Sequence, residues 1–73
     1  MTQEQIDNTF TYHAPFGNQA QRYEQIRNEA KQFAETILRL TPTSREKSLA
    51  FTKLQECVML SNAAIAINET RPE

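Results

Sequence analysis

The sequence is short of the residues that stabilise small proteins through covalent or metal cross-links. Its 73 residues include one cysteine, one histidine, one glycine and no tryptophan. A domain of this size buries a modest share of its surface and usually depends on disulfides, a metal or association with other chains. Cys57 alone cannot form an internal disulfide, and no cluster of metal ligands accompanies it, so no metal or cofactor is expected. Association between copies is the remaining source of stability.

The sequence also lacks an excess of charge of one sign and any long apolar run. Eight basic and nine acidic residues are mixed along the chain, with a net charge of -1. This balance argues against binding to long nucleic acids, which requires many phosphate contacts, but it leaves room for a small anionic ligand. No export signal or membrane-spanning stretch is evident, which predicts a cytoplasmic protein without membrane contact.

Two long segments have helical periodicity and predict a single all-α domain over residues 1–73. The first helix is expected over residues 19–40, and Thr41-Pro42 ends it because proline cannot continue a helix. The second is expected over residues 43–68, beginning with a capping box formed by Thr43 and Glu46. Residues 1–18 read as an irregular arm with up to one helical turn. Its aromatic residues Phe10, Tyr12 and Phe16 are expected to pack on something.

The second helix carries apolar residues on two opposite sides, which a single hairpin partner cannot cover. An uncovered apolar band on a small protein usually marks an interface, so the antiparallel two-helix hairpin is expected to form a homo-oligomer. One stripe consists of Ala50, Phe51, Leu54, Cys57, Val58, Ser61, Ala64 and Ile65, and the other of Leu49, Leu60, Ala63 and Ile67.

No motif in the sequence predicts catalysis. There is no Cys-x-x-Cys, His-Glu-x-x-His or glycine-rich phosphate loop. His13 with Cys57 or Ser61 would be a nucleophile and base pair without a third group, so a non-enzymatic protein is expected. In the simpler interpretation, Cys57 is a small core residue and His13 is bonded to backbone.

Tyr12, Arg27 and Lys31 combine an aromatic ring with two cations, a set that suits a nucleotide. A tyrosine ring stacks on a base, and a guanidinium forks onto phosphate oxygens. The spacing alone leaves a second interpretation open, in which Tyr12 packs the arm down and Arg27 pairs with Glu24 or Glu35.

The chain resembles the hairpin domain of phage anti-CBASS sponges, a domain shared with anti-Thoeris sponges. The resemblance rests on the Phe-x-Tyr-His-x-Pro start, on a middle part with Ile26-Arg27 and Ala30-Lys31, and on the Asn-Ala-Ala-Ile-Ala end at residues 62–66. It implies a homohexamer in the host cytoplasm that sequesters cyclic oligonucleotides of bacterial CBASS immunity without cleaving them. It also implies that Tyr12 stacks on a base of a cyclic dinucleotide and that Arg27 meets phosphate. His13 and Lys31 complete the predicted ligand-binding set.

Some members of that family bind cyclic trinucleotides at a second site that uses an arginine just after Asn-Ala-Ala-Ile-Ala. Ile67 stands at that position here, so cyclic dinucleotides are the expected ligands and the existence of a trinucleotide site is left open. Anti-Thoeris sponges capture cyclic ADP-ribose derivatives, which are the nearest alternative ligands. A different class of function stays open: a helical adaptor or structural oligomer that acts through protein contacts alone.

Overall fold

The computed structural model describes residues 1–69, and these form three helices and no strand. Helix α1 is Gln3–Phe10, helix α2 is Gln19–Leu40 and helix α3 is Arg45–Asn68. Helices α2 and α3 pack against each other, which agrees with the predicted two-helix hairpin. The last four residues of the expected 1–73 domain lie outside the described residues.

Helix α1 is longer than the single turn expected in the arm. Its eight residues begin with a capping box in which Thr2 Oγ1 accepts from the Gln5 amide at 3.1 Å and the Thr2 amide donates to Gln5 Oε1 at 2.8 Å. Two of the amides that a helix start leaves unpaired are satisfied in this way. The Thr-x-x-Gln pattern was therefore a helix start that the sequence interpretation missed.

A four-residue connection joins the two long helices. Thr41 takes up extended geometry before Pro42, which ends α2 as expected. The cap of α3 is Ser44, whose Oγ accepts from the Lys47 amide at 3.1 Å. The predicted capping box of Thr43 and Glu46 is wrong, because the helix begins at Arg45, and Ser44 is extended while its hydroxyl satisfies the amide three residues on.

Lys47 fixes the connection from its other side. Its Nζ donates to the carbonyl oxygens of Leu38 at 3.1 Å and Thr41 at 3.0 Å. Both carbonyls lie at the end of α2, where helix geometry leaves acceptors unpaired and the helix dipole favours a cation. The lysine therefore ties the first turn of α3 to the last turn of α2.

A single chain has no enclosed apolar core. Within residues 1–69 no hydrophobic residue is fully buried, and Gln19, at 3% exposure, is the one buried residue. The radius of gyration is 15.6 Å, whereas a compact globule of 73 residues has about 11 Å. One chain is thus an extended scaffold whose apolar side chains are half-covered at best.

The two stripes of α3 differ in how much α2 covers them. Most of the first stripe is half-buried, but Cys57 and Ala64 are exposed. Cys57 is a free thiol on the surface, so its assignment to the core of the hairpin was wrong. On the other stripe, Leu49 and Leu60 are exposed, Leu60 by 71%.

The arm aromatics also differ from the expectation. Phe16 is half-buried, whereas Phe10 and Tyr12 are exposed by 78% and 84%. Residues 1–69 of one chain therefore leave both rings largely uncovered. None of the helices within residues 1–69 has the length and apolarity required to span a bilayer.

Candidate functional site

The arm is fastened to the far end of α3 by backbone-directed hydrogen bonds. Asn8 Nδ2 donates to the carbonyl oxygen of Ile67 at 2.9 Å, and the His13 ring lies 2.6 Å from the carbonyl oxygen of Asn8. A carbonyl can only accept, so His13 Nε2 carries the proton in this contact. The histidine bonds to backbone, as in the simpler interpretation. This bond holds the arm in place at the residue that follows Tyr12.

A second set of polar contacts, here called the arm clamp, consists of Gln19, Arg22 and Glu69. Gln19 Oε1 accepts from the Phe16 amide at 3.1 Å, and Gln19 Nε2 donates to Glu69 Oε1 at 3.0 Å. Arg22 holds both carboxylate oxygens of Glu69, with Nη1 donating to Oε2 at 2.7 Å and Nη2 donating to Oε1. Gln19 therefore links the arm to Glu69 at the end of α3, and Arg22 ties the start of α2 to the same carboxylate.

The arm clamp changes the acidity of its two charged members. Hydrogen bonds from Arg22 and then Gln19 lower the pKa of Glu69 to about 2. The bond to Glu69 raises the pKa of Arg22. Glu69 therefore stays ionised, and the clamp intact, throughout the neutral range.

Between the fastened arm and the hairpin lies an open groove, here called the arm groove. It has a volume of about 420 Å³, within the range of small-molecule sites. Its lining residues come from the arm, α2 and α3; they are Tyr12, His13, Pro15, Tyr23, Arg27, Asn62, Ala63 and Ala66. Three of the four residues predicted to bind ligand, Tyr12, His13 and Arg27, are thus brought together.

Tyr12 and Arg27 are both available to a ligand. The Tyr12 ring is 84% exposed, and Arg27 makes no salt bridge within residues 1–69. The second interpretation, in which Tyr12 packs the arm down and Arg27 pairs with Glu24 or Glu35, is therefore wrong for the single chain. His13 and Gln19 hold the arm without using either residue.

Lys31 lies on a neighbouring surface rather than beside Tyr12. It lines an apolar groove of about 290 Å³ between α2 and α3, together with Ala34, Phe51 and Met59 among others. Arg27 also lines this apolar groove, so it lies at the border between the apolar groove and the arm groove. Lys31 is one turn beyond Arg27 on α2, so the two cations share a helix face while only Arg27 reaches the arm groove.

Two polar residues in the lining of the arm groove were not predicted from the sequence as ligand-binding residues. Tyr23 precedes Arg27 by one helical turn, and this i, i+4 spacing was the available signal. Asn62 lies on α3 at the start of the Asn-Ala-Ala-Ile-Ala segment, next to Ala63. Small neighbours beside a polar residue leave room for a ligand, but the sequence does not say which element faces them.

A larger concavity of about 700 Å³ lies between α1 and the arm, but its charge does not suit a phosphate ligand. Within the part of the chain that the structure describes, it is lined by two carboxylates, Glu4 and Asp7, and by no lysine or arginine. Carboxylates that line a cavity repel an anionic ligand placed in it. The arm groove, which has Arg27 and two tyrosines, is therefore the better candidate.

Comparison with known families identifies the chain. The family model described as the Acb2/Tad1 hairpin domain matches residues 2–66. None of the curated proteins and none of the solved structures gives a match. The matched region contains α1, the arm, α2 and most of α3, and so includes every lining residue of the arm groove. The chain therefore belongs to the Acb2/Tad1 hairpin family of sponges, which bind cyclic nucleotide signals rather than cleave them.

Proposed function

We propose that this protein is a phage sponge that sequesters the cyclic dinucleotides of bacterial CBASS immunity in the host cytoplasm and releases them intact. The observation that supports the proposal is the arm groove itself, a cavity large enough for a base that is lined by the exposed Tyr12 and by Arg27, which makes no salt bridge within residues 1–69. The ring supplies stacking and the guanidinium supplies charge for a phosphate.

The distribution of charge around the arm groove supports a monoanionic or dianionic ring better than a longer nucleic acid. Among the described residues, Arg27 is the one arginine in the lining, and no carboxylate shares it. One cation per groove matches a ligand with one or two phosphates, while a polynucleotide would need a continuous basic surface. Lys31 on the neighbouring groove is the next cation along α2 and extends the positive face by one turn.

Assembly into a homohexamer is part of the proposal. One chain leaves Leu38, Leu40, Met59 and Leu60 more than 60% exposed, and it encloses no apolar core of its own. Burying such a side chain contributes roughly 1.5 to 3 kcal/mol. Association of several chains would gain this stabilisation, whereas a monomer leaves the side chains in water. Assembly would also repeat the arm groove by symmetry, so that one particle holds several ligands.

Calorimetric titration of the purified protein with cyclic dinucleotides tests the proposal. Saturable heat is expected, with one ligand for a fixed number of chains, and chromatography of heat-released ligand should return the intact ring. Linearised product that accumulates with time would indicate hydrolysis. Absence of heat with every cyclic dinucleotide and with cyclic ADP-ribose derivatives would favour a helical adaptor instead.

A further inference from the structure

Asn62 has an unused hydrogen-bonding group beside the arm groove. Its side chain contributes to the groove lining, and its Oδ1 is shielded from solvent without a hydrogen-bond partner among residues 1–69. A buried acceptor without a partner is costly, and such a group in a native protein calls for an explanation. The neighbouring positions of α3 on this groove, Ala63 and Ala66, are small and apolar, so their side chains offer Asn62 no donor, and the donors that line the groove from the arm and α2 do not reach its Oδ1 within the described residues.

The chemistry of the amide is unlike that of the other groups in the groove. Arg27 offers donors only, whereas a carboxamide offers a donor pair and an acceptor side by side. A half-turn of the terminal torsion exchanges the oxygen and nitrogen, and no hydrogen bond from residues 1–69 holds Oδ1 in its present position. Adenine presents the matching pair, an N6 amino donor next to a ring-nitrogen acceptor, and asparagine is a usual partner for that edge.

We infer that Asn62 reads the base that Tyr12 stacks, and that it makes the arm groove selective for adenine. The inference rests on the proposed function, because it names the base preference of the same site. Oδ1 is shielded in the free chain, so the Asn62 side chain rotates towards the groove on binding and there hydrogen-bonds the adenine edge, while Tyr12 covers the ring face and Arg27 takes the phosphate. Asn62 on α3, Tyr12 in the arm and Arg27 on α2 thus contact different parts of one ligand.

A thermodynamic cycle between protein and ligand tests the inference. The ligands are cyclic di-AMP and its analogue in which both bases are purine without the 6-amino group. The proteins are the wild type, Asn62→Leu, Asn62→Ala as a smaller replacement, and Asn68→Leu as a control. Asn68 lies on the same helix, is exposed, and bonds only to the carbonyl of Ala64 within the described residues.

Loss of the amino group should weaken binding to the wild type and to Asn68→Leu by about 5- to 150-fold, the range for a bidentate amide contact. In both Asn62 variants the same loss should change affinity by less than about 2-fold, because the partner of the amino group is already gone. Melting of the ligand-free Asn62→Leu protein should be no lower than that of the wild type, since no unpaired acceptor remains.

Three results would overturn the inference. Equal wild-type affinity for the two ligands would show that the 6-amino group is not read, without use of any variant. A wild-type ratio retained in either Asn62 variant would assign the reading to another residue. A fall in particle mass in both Asn62 variants would mean that the amide bonds to a neighbouring copy. If the wild type binds no cyclic dinucleotide at all, the proposed function fails first and the inference falls with it.

Discussion

Removal of the Tyr12 ring separates ligand stacking from structural packing. The ring is 84% exposed in the free chain, so Tyr12→Ala opens no cavity and should leave helix content and melting unchanged. Base stacking on an aromatic side chain contributes about 1 to 3 kcal/mol, which corresponds to about 5- to 150-fold in dissociation constant. Calorimetric titration with a cyclic dinucleotide measures this loss, and Tyr12→Phe should keep most of the affinity because the stacking face remains.

Phe10 provides a matched control for Tyr12. It lies two residues earlier, is exposed by 78%, and does not line the arm groove. Phe10→Ala should therefore bind like the wild type. Wild-type affinity in Tyr12→Ala would refute the stacking argument, and an equal loss in both variants would show that the arm matters as an apolar surface rather than through Tyr12.

The remaining predictions concern charge, assembly and pH. Arg27→Ala should weaken binding by about 10-fold or more and lower the slope of log affinity against log salt by about one, as seen by titration at several salt concentrations, while Arg39→Ala, outside the groove, should change neither. Leu60→Asp should reduce the mass measured by light scattering towards the 8.4 kDa of one chain. Leu60 is exposed in a single chain, so the new charge is costly only where a neighbouring copy buries it. An unchanged mass would contradict the assembly argument. The pKa of Glu69 is lowered to about 2 by its bonds to Arg22 and Gln19. The stability that the ionised Glu69 contributes is therefore present above pH 4.5 and is lost as pH falls towards 2. In that window the melting temperature should fall more steeply for the wild type than for Glu69→Gln, and parallel curves of melting temperature against pH would show that the arm clamp does not stabilise the fold.

The long helices were predictable because their signals are local. The apolar period of residues 19–40 and the Thr41-Pro42 stop depend only on neighbours in sequence, and α2 is found at Gln19–Leu40. The start of α3 was predicted two residues early, since Thr43 and Ser44 both offer a capping hydroxyl and local sequence does not choose between them. Backbone geometry decides, because Ser44 Oγ is the one that accepts from the amide three residues on.

The candidate site was predictable only in part, because its members come together through long-range contacts. Tyr12 and Arg27 were named from chemistry and resemblance, and the structure places both at one groove. Lys31 was grouped with them because it is one turn from Arg27, but helical neighbours need not face the same groove. The arm clamp links residues about fifty positions apart, Gln19 and Arg22 with Glu69, and no sequence period encodes such a contact.

The fastened arm would favour tight binding if the proposed function holds. A sponge gains nothing from turnover, so its useful quantity is affinity, and affinity is lost when a flexible segment must be ordered on binding. Here the arm is already held at Asn8, His13 and Gln19 before any ligand arrives, while the Tyr12 ring between these attachments stays exposed. Polar contacts within the free chain already order the arm, so a base that stacks on Tyr12, as proposed, would not have to offset that ordering cost.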